Sequence, residues 1–144
     1  MSDYIFLFDL DSTITRKEIL PTISEKIGKQ KEMRELTEAT MNGILPFKES
    51  FLNRVKILSE ISVAEINKFV SEIPLNEYIA DFIKTNHERC YVVTGNLDIW
   101  ISGLMEKLNM TGHYFCSRAI NENDKVQKVR LCLHNIMRYD KIPA

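Results

Sequence analysis

Phe6-Leu7-Phe8-Asp9-Leu10-Asp11-Ser12-Thr13 decides the fold of this 144-residue chain: an apolar run rich in aromatics stops at two carboxylates spaced i, i+2. Tyr4 to Phe8 is too short and too continuously apolar for an amphipathic helix, and suits a strand buried on both faces. The carboxylates then stand at its C-terminal end, where open α/β sheets bind ligands. With extended geometry through Asp11, Asp9 and Asp11 project to one side while Leu10 turns toward packing. Carboxylates this close repel unless a cation lies between them or one carries a proton. Taken alone, the same residues also read as an Asp/Ser turn that starts a helix.

Composition narrows the class. Lys plus Arg number 19 against 20 Asp plus Glu, a net charge of −1, so there is no basic footprint for nucleic acid or an acidic membrane. Any phosphate binding must be local. A hydrophobic fraction of 44% with 27% charged residues belongs to a globular protein rather than a disordered one. No apolar run approaches the roughly 18 residues of a spanning helix, and Met1-Ser2-Asp3 leads into the strand without a signal-peptide pattern, so a cytoplasmic location is expected. The three cysteines, Cys90, Cys116 and Cys132, lack CxxC spacing and read as reduced thiols in strands rather than a disulfide framework or zinc site. His87, His113 and His134 show no ligand spacing.

Five helices are expected between this strand and the next. Ile19, Leu20, Ile23 and Ile27 recur at helical spacing over 15–27, before Gly28. A second helix covers 31–41 and stops at Asn42-Gly43; Pro46 opens a third, with Phe47, Phe51, Val55 and Leu58 on one face. Ser62-Val63-Ala64-Glu65 is a capping box for a fourth, ending near Ile73, and Tyr78, Ile79 and Phe82 mark a fifth after Pro74. A single crossover needs fewer, which implies an inserted helical cap at 15–74 on a core made of 1–14 and 75–144. Cys90 to Val93 is a second apolar strand breaking into Thr94-Gly95-Asn96 before a helix over 97–108, a hydroxyl, an amide and backbone N–H groups suited to an anion. A third strand at 113–120 passes through the polar turn 121–124 into 126–133, which reads as a hairpin partner or as a helix.

The strand followed by Asp9-x-Asp11-x-Thr13 resembles the first motif of the haloacid dehalogenase superfamily of aspartate-nucleophile phosphohydrolases, and Thr94-Gly95-Asn96 resembles its second. Nearly the whole chain is similar to the phosphoserine phosphatase-like branch. The resemblance implies a Rossmann-like α/β core with a parallel sheet and a helical cap after the first strand. It implies phosphomonoester hydrolysis through an aspartyl-phosphate, with Asp9 as nucleophile and Asp11 as general acid/base. Mg²⁺ would be held by Asp9 and Asp11. Thr13 would fix the turn, and Thr94, Gly95 and Asn96 would bind the phosphoryl group. Glu18 would meet a substrate amino group and Arg54 its carboxylate, with Met41 and Phe47 as apolar wall. Lys141 is favoured as the third-motif lysine, with Lys125 and Lys128 as rivals.

One part of the family pattern is missing. The fourth motif, a strand ending in acidic residues that completes the metal site, has no counterpart after Lys141. The expectation is a C-terminally truncated chain with impaired turnover on a small phosphorylated metabolite; the alternative is a non-catalytic phosphate-binding or interaction module. The first strand would then lack a neighbour on one side, and an open sheet edge predicts a homodimer or other self-association.

Overall fold

The structure, a computed structural model, describes residues 4–131, 140, 141 and 143. It is an α/β fold with a single sheet in the order β1 (Phe6–Phe8), β2 (Cys90–Leu97), β3 (Tyr114–Glu122), β4 (Lys125–Arg130) and β5 (Asp140–Lys141). The expected parallel sheet holds for β1, β2 and β3. The rest is antiparallel, so the sheet is mixed. Val126–Leu133 resolves in favour of the hairpin as far as Arg130, through a turn of two residues rather than four: Asn123 (φ 51°) and Asp124 (φ 59°) both occupy the left-handed region that such tight hairpins require. Cys132 and His134 lie outside the described residues.

Five helices separate β1 from β2: α1 (Ile19–Lys26), α2 (Gln30–Met41), α3 (Phe47–Leu58), α4 (Val63–Ser71) and α5 (Glu77–Asn86). Their starts follow the chemistry of the sequence. Pro46 precedes α3, and the Ser62 hydroxyl accepts the Glu65 N–H at 3.1 Å to cap α4. The chain leaves the first strand and returns to the second through one crossing point. Thr15 and Leu75 form an antiparallel bridge there, flanked by Arg16 N–H to the Pro74 carbonyl and Asn76 N–H to the Ile14 carbonyl, both 2.8 Å.

One helix of this insertion is fastened to the sheet layer. The Asn67 carboxamide on α4 docks on both ends of a backbone i, i+4 pair in α6 (Asp98–Lys107): Nδ2 donates to the Ile99 carbonyl at 2.6 Å, and Oδ1 accepts the Gly103 N–H at 3.0 Å. Nδ2 also reaches the Ser102 hydroxyl at 2.8 Å. The close approach depends on residue 103 being glycine, because a Cβ there would run into Asn67 Oδ1 and come within 2.9 Å of Ser71 Oγ. Ile66 and Val70 of α4 and Trp100, Ile101 and Leu104 of α6 are fully buried and belong to one core with Leu10, Ile14, Ile19 and Ile23.

Right-handed crossovers that add β2 and then β3 on the same side of β1 must carry α5 and α6 over one face of the sheet. Phe6 and Phe8 accordingly meet Phe82 of α5 at 5.0 and 6.1 Å between ring centroids. Burial of β1 on both faces, expected from its continuous apolar run, is not found: Leu7 is 67% exposed on the opposite face. Among the described residues β1 pairs with β2 alone, and Leu7 faces away from the helices.

Candidate active site

Asp9 ends β1 in extended geometry (φ −71°, ψ 153°), and Asp11 is again extended (φ −64°, ψ 127°). Leu10 between them is fully buried, so both carboxylates open into one pocket, as the alternation requires. The chain then makes a wide turn over Leu10–Ile14, closed by the Thr15 N–H on the Leu10 carbonyl at 3.0 Å. Ser12 sits in the left-handed region (φ 59°), a strained conformation for a residue with a Cβ. The strain is held by Thr15, whose buried Oγ1 accepts the Ser12 N–H at 3.1 Å and lies 2.7 Å from the Lys17 carbonyl and 3.2 Å from that of Leu10. The turn-fixing role expected of Thr13 therefore belongs to Thr15; Thr13 is half-buried and does not line the pocket.

The two carboxylates differ in surroundings. Asp9 is exposed and its Oδ1 accepts the adjacent Leu10 N–H at 2.8 Å. Asp11 accepts the Ile19 N–H at 2.7 Å, which satisfies the first amide of α1, and the Asn96 Nδ2–H at 3.1 Å. Burial pushes the Asp11 carboxyl above the usual range, with Asp9 and Glu18 adding to the effect while the Ile19 and Asn96 hydrogen bonds oppose it. One carboxylate open to solvent beside one inclined to hold a proton is the division of labour that nucleophilic attack and proton donation call for.

Thr94, Gly95 and Asn96 face this pair from β2, yet they do not form the helix-opening turn their sequence suggests. The strand continues to Leu97, and the pairing with β3 slips between Val93 and Leu97, so 94–96 is a bulge. Bulges re-aim side chains beside sites, and this one presents Thr94 to the pocket. The first turn of α6 is occupied instead by Asp98, whose Oδ1 accepts the Ile99 and Ala119 N–H groups, both at 2.9 Å. Asn96, expected to touch phosphate directly, places its carboxamide on Asp11, and its buried Oδ1 has no partner among the described residues.

The cavity so formed measures about 210 Å³, and the insertion supplies its other wall: Glu18, Leu20 and Pro21 from the start of α1, and Phe47, Phe51 and Arg54 from α3. Arg54 lies over the Phe51 and Phe47 rings at 5.7 and 6.0 Å, and its buried Nε has no hydrogen-bond partner among the described residues. Burial lowers the guanidinium's pKa, against the opposing pull of Glu18 and Asp11. The expected wall residue Met41 is not there: at the last position of α2 it is 82% exposed, and Leu20, Pro21 and Phe51 take its place. Leu20 and Pro21 adjoin Glu18 in sequence and Phe51 lies one helical turn from Phe47, the signals from which they follow.

Neither Lys125 nor Lys128 is among the residues that line the pocket. Lys125 donates to the Glu60 carbonyl at 3.1 Å, and with Lys128 it lines a separate cavity beside the hairpin. The backbone of Lys141 pairs with Lys128 at the edge of the sheet opposite β1, and its side chain lies outside the described atoms. Oxygen donors from Asp9 and Asp11 suit a hard divalent cation such as Mg²⁺. Among the described residues no group of three or more His, Cys, Asp or Glu side chains is placed to hold a metal, and no helix is long and apolar enough to cross a membrane.

Known proteins are similar to this chain in sequence and in fold. The chain is 30% identical over 125 residues to a phosphoserine phosphatase of Methanocaldococcus jannaschii, covering 85% of this chain and 59% of the relative. It is 32% identical over 122 residues to that of Lactococcus lactis, covering 83% of this chain and 56% of the relative. A solved phosphoserine phosphatase, described as a phospho-aspartyl intermediate analogue, superposes with a TM-score of 0.67 at 26% identity, over 88% of this chain and 61% of the other. The chain thus spans only part of the length of the curated relatives it matches, from 59% down to 23%. The family model described as haloacid dehalogenase-like hydrolase matches residues 6–140, and this protein belongs to that family of hydrolases.

Proposed function

We propose that this chain carries the site of a phosphoserine phosphatase-like phosphomonoester hydrolase. The observation that carries the reading is the convergence of Asp9, Asp11 and Thr94, from two strand ends, with Glu18 and Arg54 of the insertion on one pocket. In this reading an Asp9 carboxylate oxygen attacks phosphorus, the ester P–O bond breaks, and Asp11 delivers its proton to the leaving alkoxide. Asp11 then takes a proton from water, whose oxygen attacks the acyl-phosphate, releasing inorganic phosphate and restoring Asp9. Thr94 steadies the phosphoryl oxygens. When bound at Asp9 and Asp11, Mg²⁺ supplies positive charge that offsets the charge on phosphate. Arg54 Nε, buried without a hydrogen-bond partner among the described residues, fits a substrate carboxylate. Glu18 at the pocket rim fits an ammonium group, so a small phosphorylated amino acid is the substrate class.

The division into a 15–74 cap and a surrounding core belongs to this proposal and is supported by the crossing of the chain at Thr15 and Leu75. A cytoplasmic setting and association of the chain with itself through an open sheet edge belong to it as well. Weak turnover belongs to the proposal too, with Lys125 held at the Glu60 carbonyl and, like Lys128, lining a cavity apart from Asp9 and Asp11. That same observation favours a second reading, phosphate binding without turnover. Fluorine NMR with Mg²⁺ and beryllofluoride separates the two: a bound resonance absent from Asp9→Asn supports the phosphatase site, whereas no resonance from a folded chain leaves the binding module.

A further inference from the structure

The Asp11 carboxyl group is held at both of its oxygens, by two different elements. Oδ1 accepts the Ile19 N–H at 2.7 Å from the start of α1, and Oδ2 accepts the Asn96 Nδ2–H at 3.1 Å from β2, 85 residues away in the chain. The last torsion of an aspartate is broad and roughly two-fold, so one hydrogen bond leaves the carboxyl group able to swing about it, whereas a donor on each oxygen fixes its plane. Asn96 is itself well fixed. It is 3% exposed, it lies in the bulge between Val93 and Leu97, and its backbone N–H donates to Thr94 Oγ1 at 3.2 Å. A carboxylate offers acceptors only, so the carboxamide turns Nδ2 toward it, which an aspartate of the same shape could not do. Being neutral, this donor orients Asp11 without the pull on its proton that a lysine or arginine in the same place would exert.

We propose that Asn96 is a positioning residue for Asp11, holding the carboxyl group in the orientation from which it serves the leaving oxygen, rather than a contact to the phosphate. This rests on the reading that Asp11 delivers a proton to the leaving alkoxide, and adds to it the side chain that aims the donor. The two roles differ in what they do to different esters. An alkoxide such as that of serine departs only with a proton, whereas p-nitrophenolate departs without one, so a misaimed Asp11 penalises the first and spares the second. A lost phosphate contact penalises both alike. Asn96→Ala removes the carboxamide and keeps the backbone N–H that Thr94 Oγ1 accepts, which confines the change to Asp11.

Nitrogen–proton correlation NMR on the full 144-residue chain in chelator, with far-UV circular dichroism as a folding check, reads the placement of Asp11 without turnover. The reporter is the Ile19 amide, whose resonance follows the carboxylate to which it donates. In Asn96→Ala it is expected to move at least half of the way to its position in Asp11→Ala, while the amides of Glu25 and Lys26 at the far end of α1 stay in place. A smaller movement in a folded variant, or one shared by the whole helix, would overturn the proposal. Where the wild-type chain turns over, kcat/KM for phosphoserine should fall about 10- to 100-fold in Asn96→Ala, as for a general acid displaced by about 1 Å, and that for p-nitrophenyl phosphate less than about threefold. Equal losses would overturn the positioning role and return Asn96 to the phosphate. The phosphatase reading fails separately, if the folded wild-type chain takes up no beryllofluoride at Asp9, whatever the Ile19 amide does. Should Asn96→Ala unfold, Asn96→Ser, which also lacks the carboxamide, gives the same reading.

Discussion

Replacing Gly103 by alanine tests how firmly the insertion is fastened to the sheet layer. In an ordinary helix interior the change stabilises by about 0.8–1.0 kcal/mol, because alanine has less backbone freedom to lose. Here the new Cβ would displace the Asn67 carboxamide, which makes hydrogen bonds of 2.6, 2.8 and 3.0 Å to Ile99, Ser102 and Gly103. At roughly 1 kcal/mol net for each bond, their loss outweighs the helix gain. Gly103→Ala is therefore expected to destabilise by about 1–2 kcal/mol. In an Asn67→Ala, Ser71→Ala background both the carboxamide and the Ser71 hydroxyl are already gone, and the same substitution should stabilise by about 1 kcal/mol, giving a coupling of about 2–3 kcal/mol between residue 103 and that pair. Urea unfolding followed by the fluorescence of Trp100 reports on it directly, since this sole tryptophan is fully buried on α6 itself. If Gly103→Ala raises stability in the otherwise native chain, the carboxamide clamp does not hold α4 to α6.

Thr15→Val should destabilise by about 1–3 kcal/mol, because the buried hydroxyl satisfies the Ser12 amide and a backbone carbonyl; a denaturation midpoint unchanged from wild type would return the turn to Thr13. For Asp11 the folded-state pKa lies above the unfolded value, so the native state binds the proton more tightly and stability falls as pH rises from 3.8 through the folded pKa. Asp11→Asn in chelator should accordingly be more stable than wild type at pH 7 and indistinguishable from it below pH 3.8, and a variant less stable at pH 7 would contradict the burial penalty. Where turnover is measurable, Arg54→Ala should raise the Michaelis constant for phosphoserine about 10- to 100-fold, the value of a charge-assisted hydrogen bond, with little change for p-nitrophenyl phosphate. Equal effects on the two esters would discard the carboxylate clamp.

What the sequence makes legible here is local. Asp9, Leu10 and Asp11 face as strand alternation dictates, Ser62 caps α4, and the helix ends at Met41 and Leu58 follow from Asn42-Gly43 and from the apolar spacing of α3. Less legible is whatever depends on a distant partner. Nothing near Thr13 and Thr15 in the sequence says which hydroxyl will meet the left-handed Ser12. The bulge at 94–96 arises from a mismatch between β2 and β3, which only their pairing reveals. Met41 and Phe47 look alike as wall candidates, but Met41 ends its helix on the solvent side while Phe47 begins the next one stacked on Phe51 at 5.9 Å. The apolar run of β1 suggests two covered faces, because composition states that a side chain avoids water and not which molecule will shield it.

The crossing of the chain at Thr15 and Leu75 also bears on how the site comes together in time. Phe8 pairs with Val92, so the strand that delivers Asp9 must find a neighbour 84 residues away. The helices between need no such search, being built from local contacts that form quickly. Once they have folded and their two ends are pinned at the crossing, the loop still to be closed shrinks to about two dozen residues, a shortening of nearly two doublings that lowers the entropic cost by about 1 kcal/mol. The insertion that walls the pocket thereby serves as a splint for the sheet, and the strand that carries Asp9 docks most readily after the wall has been raised.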